Sequence, residues 1–400
     1  MPGYEALLDR VIQRGLCTAC GACAGVCPAG AVEMRTGNYD SDDPAPVPAG
    51  DCVSCGFCES VCPGGGIDMP GLSRALFGRV PDPVAEPLGI VRRSLRVQAG
   101  DPQTRRLACT GGAAMALATY AIERGLVDGV LLAGRDQSHP WRSAPTIVTK
   151  RQEVLSSVRT AMEVVPVLSL LSKAVVELGM ERIGVIGLPC QAHAIRKLQA
   201  YPAQLAMSKA VVFTIGLFCN STVYYMATEH LLKELGGITD LSDIVALDYR
   251  AGDWPGMMAV ATRDGKILHI ASKAAYGNFY SVSNYRRDRC LVCIDFAAEF
   301  ADIAVGDIFQ LRGAQDPRWS ATIVRTEAGE KIIAGAQEEG YISCEPHDLM
   351  SVLGSSYGWE KAKHASVLRL RQRRRYGWPV PDFGYEPEIR ITPRKFFTIS

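Results

Sequence analysis

The sequence predicts an α/β protein: a mixed sheet covered by helices forms the body, and a small cysteine-rich module precedes it. Three observations predict this. The same cysteine spacing occurs twice within the first 62 residues. From residue 94 onward, apolar runs of strand length alternate with segments of helical period. A proline-rich stretch at 71–92, holding Pro81, Pro83 and Pro87, separates the two parts. The 400 residues are enough for two or more domains.

The module comes first. Cys17, Cys20, Cys23 and Cys27-Pro28 form one run, and Cys52, Cys55, Cys58 and Cys62-Pro63 form the other. Each reads C-x2-C-x2-C-x3-C-P. That run holds cubane clusters in bacterial ferredoxins, where the fourth cysteine ligates the other cluster. The expected ligand sets are Cys17, Cys20, Cys23 and Cys62 for one [4Fe-4S] cluster, and Cys52, Cys55, Cys58 and Cys27 for its neighbour. The module resembles a two-cluster, ferredoxin-like 2x[4Fe-4S] domain. A disulfide framework suits small secreted domains, and no secretory signal core stands at Met1 to Leu16. Zinc sites pair two C-x2-C units across a longer spacer. Both alternatives fit less well than clusters.

Composition narrows the class. Hydrophobic residues make up 48% of the chain, ordinary for a packed protein. No apolar stretch approaches the ~18 residues of a membrane span, and a cytoplasmic location is expected. Fourteen cysteines in such a chain point to metal or redox chemistry. Residues 1–62 carry three basic and eight acidic residues, a net −5, and the remainder carries 40 basic against 34 acidic, a net +6. That asymmetry is able to steer a charged redox partner. Lys361 to Arg375 holds seven basic residues and no acidic one. Without aromatic interleaving it reads as a basic surface helix, and no nucleic acid is expected.

Element by element, the division is residues 1–70 as the ferredoxin-like domain, 71–92 as linker, 93–360 as body and 361–400 as a basic C-terminal tail. The insert Ala31 to Gly50 reads as a hairpin or loop. Ser94 to Gln98, Gly129 to Ala133, Ile183 to Gly187 and Val211 to Leu217 read as strands. Ala113 to Glu123 has helical spacing with Gly125 as its stop. Thr160 to Gly179, Gln191 to Leu198 and Thr222 to Leu235 also read as helices. Met257 to Ala271 reads as a hairpin turning at Asp264-Gly265.

Six cysteines remain. Cys190 lies at a strand-to-helix turn, Cys219 just past a strand, and Cys290 and Cys293 form a C-x2-C pair. Spacing alone leaves a cluster, a thiol redox pair or buried cysteines all open. Further motifs stand around these cysteines: Thr110-Gly111-Gly112 opening a helix, Val127-Asp128-Gly129-Val130, Gly187-Leu-Pro-Cys190-Gln and Gly216-Leu-Phe-Cys219. Arg289-Cys290-Leu-Val-Cys293-Ile-Asp295 and Ala301-Asp302-Ile303-Ala-Val-Gly306-Asp307 complete them. With these motifs, about residues 90 to 350 resemble the family of coenzyme F420-reducing hydrogenase and dehydrogenase beta subunits.

The resemblance implies FAD and one further [4Fe-4S] cluster in the body, with Cys190, Cys219, Cys290 and Cys293 as its ligands. It places Thr110, Gly111 and Gly112 at the flavin, where an uncluttered helix start favours an anion. Family members carry Gly-Ser-Lys-Tyr where this chain reads Val158 to Glu163, so Arg159 is expected to supply the positive charge, with Arg142 and Lys150 as further candidates. Cys109, just before the Thr-Gly-Gly turn, reads as a buried inert cysteine, with a thiol close to the reaction centre as the alternative, and Cys344 reads as a structural residue in a strand; His193 is a proton-handling candidate whose default reading is a helix-surface histidine. Asp295, Asp302 and Asp307 are proton-handling candidates.

The implied function is an FAD- and [4Fe-4S]-dependent oxidoreductase. It would move electrons between clusters, FAD and a two-electron partner, either coenzyme F420 or an organic substrate reduced at the expense of ferredoxin or another redox protein. The alternative is a non-catalytic electron-transfer subunit of a larger hydrogenase or dehydrogenase complex. Either form allows a homo-oligomer or a complex subunit.

Overall fold

The computed structural model describes residues 3–36, 43–83, 85–200, 206–252, 256–308, 318–348 and 359–387. It is a mixed α/β structure built on one eight-stranded sheet. The strands are β1 (Val32–Arg35), β2 (Ala45–Pro48), β3 (Arg93–Ala99), β4 (Gly129–Arg135), β5 (Ser143–Val148), β6 (Ile183–Gly187) and β7 (Val211–Leu217). They continue with β8 (Ile244–Ala251), β9 (Met257–Thr262), β10 (Ile267–Ala271), β11 (Ile303–Asp307), β12 (Ser320–Val324) and β13 (Ile342–Pro346). The large sheet has the order β13-β3-β12-β11-β7-β6-β4-β5.

Its centre is parallel: β11 with β7, β7 with β6, and β6 with β4. Both outer flanks are antiparallel. Parallel strands covered on both faces read as continuous apolar runs. β6 fits this, being buried along its whole length. The helix Ala113–Glu123 buries eight of its residues, among them Ala113, Ala114, Ala116, Ala118 and Ala121, against β3 and its neighbours. Small side chains let that helix sit close to the strands. Open α/β sheets present ligands at the carboxyl ends of their parallel strands. β6 ends at Gly187 opposite Gly216 of β7, so Cys190 and Cys219 emerge side by side at that edge.

A second, three-stranded sheet in the order β10-β9-β8 packs its apolar face on the helix Tyr225–Gly236. β1 and β2 form the hairpin expected within the insert 31–50. The expected helix at 160–179 is not continuous. Pro166 has no N–H to donate and restricts the residue before it, so helical turns begin only at Val167. β5, β8, β11 and β12 were not anticipated. The stretch from Met69 to Phe77, which enters the first part of the expected linker, is helical and capped by the Asp68 carboxylate. The basic segment forms the helix Trp359–Arg375. The rest of the expected tail, from residue 388, lies outside the described residues.

The module does not stand apart from the body. Cys20, Ala22, Val26 and Val61 share one core with Leu168, Leu171, Ile183 and Ile195. The approach is so close that a Cβ on Gly25 would lie 1.9 Å from the Leu168 carbonyl oxygen. The C-terminal segment straps the other side: Ile67 donates its N–H to Asp382 at 2.7 Å, and Asp382 donates to Gly65 at 3.0 Å.

Candidate functional site: three groups of four cysteines

The two module motifs fold alike. Ala19 and Ser54, at matching positions, adopt φ of 51° and 52°. Gly21 and Gly56 follow in the left-handed region and open the short helices Ala22–Gly25 and Phe57–Ser60. Left-handed non-glycine residues are costly and cluster at functional sites. Here the turn at Ala19 points its own backbone N–H at sulfur, and two further N–H groups of the module do the same. Ala19 donates to Cys17 Sγ at 3.3 Å, Ala31 to Cys27 Sγ at 3.2 Å and Gly64 to Cys62 Sγ at 3.3 Å.

Cys23 and Cys58 lie in one apolar cluster with Cys17, Cys27 and Cys62 packed against it. Burial drives the Cys23 thiol well above its ordinary range, and neighbouring Cys20, Cys17, Cys62 and Cys58 push the same way. Burial also lifts Cys58 to about 11, and Cys55, Cys52 and Cys27 add to it. Cys62 is pushed up to about 12 by burial, with Cys20 and Cys17 beside it. In the body, Cys190 is raised by burial and then by Cys20, Cys290, Cys219 and Cys293. Cys219 is raised by burial and then by Cys290, Cys293 and Asp295. Each set of four has its own neighbourhood, and the sets adjoin: Cys23 and Cys58 share one apolar cluster, and Cys190 packs against the core that contains Cys20.

Thiols crowded and buried in this way ionise only when a cation compensates, and a coordinating metal deprotonates them outright. Four thiolates on a single zinc ion would sit about 3.8 Å apart. Among the described residues, no three cysteine, histidine or acidic side chains gather tightly enough for a single ion. With the N–H···S donors to Cys17, Cys27 and Cys62, the module sets fit iron–sulfur clusters, and the body set offers four further thiols of the same kind.

Several residues missed in the sequence shape these sites. Arg287 lies near Cys17 and reaches Asp43 at 3.6 Å. Arg289 donates to the carbonyls of Gly64 and Pro63, at 3.0 and 3.3 Å. His193 is not on a helix surface: it is 2% exposed, and its Nε2 lies 2.8 Å from Asp295 Oδ2. Arg325, fully buried, donates to the carbonyls of Ile90 and Ala297. A basic residue closing an otherwise apolar segment was the signal for Arg325. Asp302 is structural, bonded to Arg196, Thr214 and Thr326. Asp307 pairs with Arg250 at 2.8 Å.

At the other expected site, Thr110 Oγ1 lies 3.1 Å from Ser320 Oγ. A Cβ on Gly111 would come within 2.4 Å of the Val97 oxygen, so strand packing requires glycine there whatever binds nearby. Gly112 starts the helix Ala113–Glu123 without a side-chain cap. Cys109 contacts Thr160, which brings Arg159 beside this turn. Arg159 donates Nη1 to the Arg142 carbonyl at 2.9 Å, and its Nε and Nη2 are buried with no hydrogen-bond partner. Arg142 stacks between Trp141 and Tyr225, its guanidinium 4.5 and 4.7 Å from their rings. Lys150 precedes the helix Arg151–Ser156. Cys344 lies in β13 and donates to Gln337 Oε1 at 2.9 Å.

Fold and cysteine grouping together define an α/β iron–sulfur protein of the electron-transfer class. The 4Fe-4S dicluster domain model matches residues 16–71. The models for the coenzyme F420 hydrogenase/dehydrogenase beta subunit match residues 94–172 (N-term) and 180–349 (C terminus). The chain belongs to this family of beta subunits. It is 30% identical to the coenzyme F420 hydrogenase subunit beta of Methanococcus voltae, across 74% of this chain and 99% of that one. It is 26% identical to one of the subunits of the F(420)H(2) dehydrogenase of Methanosarcina mazei, across 96% and 98%. The F420-reducing [NiFe] hydrogenase complex from Methanosarcina barkeri contains a similarly folded chain, with a TM-score of 0.58, 26% identity and coverage of 72% and 94%.

These relatives correct one expectation. A free-standing FAD- and [4Fe-4S]-dependent oxidoreductase is not what they are: they are named as subunits of hydrogenases and of a dehydrogenase, and no name carries a flavin. The physical reason is that cysteine motifs report the electron carriers of a chain and not whether the chemistry happens on that chain. No described helix is long and apolar enough to cross a membrane.

Proposed function

We propose that this chain is the electron-transfer subunit of an F420-linked hydrogenase or dehydrogenase complex, acting in the cytoplasm. Three [4Fe-4S] clusters would be held by three adjoining sets of cysteines. Cys52, Cys55, Cys58 and Cys27 hold the first; Cys17, Cys20, Cys23 and Cys62 the second; Cys190, Cys219, Cys290 and Cys293 the third. The packing of Cys20 and Cys190 on one core carries this reading, because it joins the module to the body thiols.

The protein's own contribution is positioning and electrostatics. N–H donors to Cys17, Cys27 and Cys62 favour the more negative, reduced cluster. Arg287 and Lys197 add positive charge beside the middle set. The two-electron partner is coenzyme F420 or, in a differently composed complex, a small organic substrate. Thr110, Gly111, Gly112 and Arg159 form an anion-binding corner, supported by the uncapped helix start and the two unpartnered Arg159 nitrogens. FAD is a group of the right chemistry for that corner, and when bound it would exchange electron pairs for single electrons.

Anaerobic copurification tests the proposal. The tagged chain should bring down partner subunits, and F420 should bleach only when they are present. Turnover of a soluble organic substrate by the isolated chain would defeat the subunit reading.

A further inference from the structure

The twelve cysteines differ sharply in exposure, and this gives the cluster series a direction in space. Cys20, Cys23 and Cys58 are buried, and the other module and body thiols are half-buried, except two. Cys52 and Cys55 are exposed, at the tip of a loop in which Asp51, Val53 and Ser54 are exposed as well. Val53 is 63% exposed, a bare apolar side chain between two cysteines. The far sets are covered: Cys20 packs into the body core, and Cys190 lies against that same core.

The rim of the loop is acidic. Glu5 is exposed and close enough to Cys52 to act on it electrostatically. Asp51 precedes Cys52, and Asp9 is exposed one helical turn after Glu5. Of the other described acidic residues in the module, Glu33 pairs with Arg35, Asp43 with Arg287 and Glu59 with Arg10, while Asp68 caps the helix Met69–Phe77 on the side that meets the C-terminal segment. Glu5 and Asp51 therefore give the exposed loop an acidic rim.

We propose that the Cys52–Cys55 loop is the docking surface through which single electrons enter or leave the chain, and that its partner is a one-electron redox protein presenting a basic rim around its own centre. The inference rests on the cluster assignment above and adds the partner's chemistry. An apolar contact at Val53 inside a charged ring matches the anatomy of transient interfaces, where the rim sets encounter rate and specificity. It disfavours an acidic ferredoxin, whose rim would face Glu5 and Asp51 with like charge.

The test uses the holo chain and two probes, a basic c-type cytochrome and an acidic plant-type ferredoxin. One electron passes from a reduced cluster to the ferric haem; the cluster is oxidised, the haem iron reduced, and no bond changes. Stopped-flow rates are compared for wild type, E5K/D51K and a control, E234K/E338K, on helices that carry none of the twelve cysteines. Carbodiimide cross-linking to the cytochrome, mapped by mass spectrometry, gives a readout independent of turnover.

The expected result is a fast, salt-sensitive reaction with the cytochrome, slowed about tenfold by E5K/D51K at low ionic strength and untouched by the control. Cross-links should map to Glu5 and Asp51. Equal slowing by the control, cross-links elsewhere, or a faster reaction with the acidic ferredoxin would overturn the proposal. Iron content separates failure of the clusters from failure of the docking surface. A chain with fewer than about eight irons defeats the cluster reading itself. A fully loaded chain indifferent to E5K/D51K defeats only the docking surface. If E5K/D51K fails to load iron, E5Q/D51N replaces it, with a smaller slowing expected in the same direction.

Discussion

Lys197 donates its ammonium to the carbonyl of Cys62. The side chain also reaches the carbonyl of Gly66, at 3.1 Å. Lys197 rides on the helix Pro189–Ala200, which begins beside Cys190, so one helix touches the cysteines of both the module and the body. Burial lowers the Lys197 pKa, and the neighbouring cysteines oppose that shift. Lys197→Met keeps much of the apolar stem and removes both bonds. Denaturant unfolding of the iron-loaded protein should show a loss of about 2 kcal/mol. No loss would mean the module is held by its apolar contacts and its bonds to Arg289 and Asp382 without help from Lys197.

Gly25→Ala should be far more damaging than Gly65→Ala. The added methyl at Gly25 meets backbone, the Leu168 carbonyl, which cannot swing aside. At Gly65 it meets only a Val11 methyl at 3.5 Å, ordinary contact. The expected outcome is a Gly25→Ala protein that loses more than about 3 kcal/mol or fails to load iron, and a Gly65→Ala protein within about 0.5 kcal/mol of wild type.

Removing body cysteines should remove one cluster and leave two. The double variant Cys190→Ser with Cys219→Ser is expected to hold about eight irons where wild type holds about twelve. An unchanged iron count would strike these residues from the ligand set. The Met1–Leu16 segment and the module motifs are untouched, so circular dichroism should report the same fold.

Arg159→Met should improve the ligand-free protein while harming the loaded one. Two guanidinium nitrogens are buried without partners, a cost of about 1–3 kcal/mol each. Thermal unfolding of the ligand-free variant should shift upward. Affinity for a phosphate-bearing cofactor, measured by titration of flavin fluorescence, should fall about tenfold or more. A parallel fall in both quantities would assign Arg159 a purely structural role.

Cys109 should be chemically quiet at neutral pH. Burial raises its thiol pKa, and nearby Arg250 offsets only part of that. A thiol whose folded pKa lies above its unfolded value contributes stability below the unfolded pKa, and that contribution fades as pH rises through the folded one. Alkylation of the loaded protein, followed by mass spectrometry, should leave Cys109 unmodified at pH 7 and label it only under more alkaline conditions than an exposed cysteine needs. Rapid labelling at pH 7 would reveal a thiolate near the anion-binding corner.

Some of this protein is dictated by residue order alone. A C-x2-C-x2-C-x3-C-P run specifies its chemistry locally, because ligand spacing along a tight turn is a short-range property. The strands at 183–187 and 211–217 and the helix at 113–123 match their predicted bounds, since their apolar periodicity is strong. β5 and β8 were illegible because each is an edge strand with much of its length half-exposed. What tertiary structure alone decided is adjacency. Whether Cys20 neighbours Cys190, whether His193 is buried against Asp295, and which cysteine loop meets solvent all depend on strand order. Those contacts join residues more than 100 positions apart, as the His193–Asp295 pair shows, and no local pattern encodes where the sheet will bring such residues together.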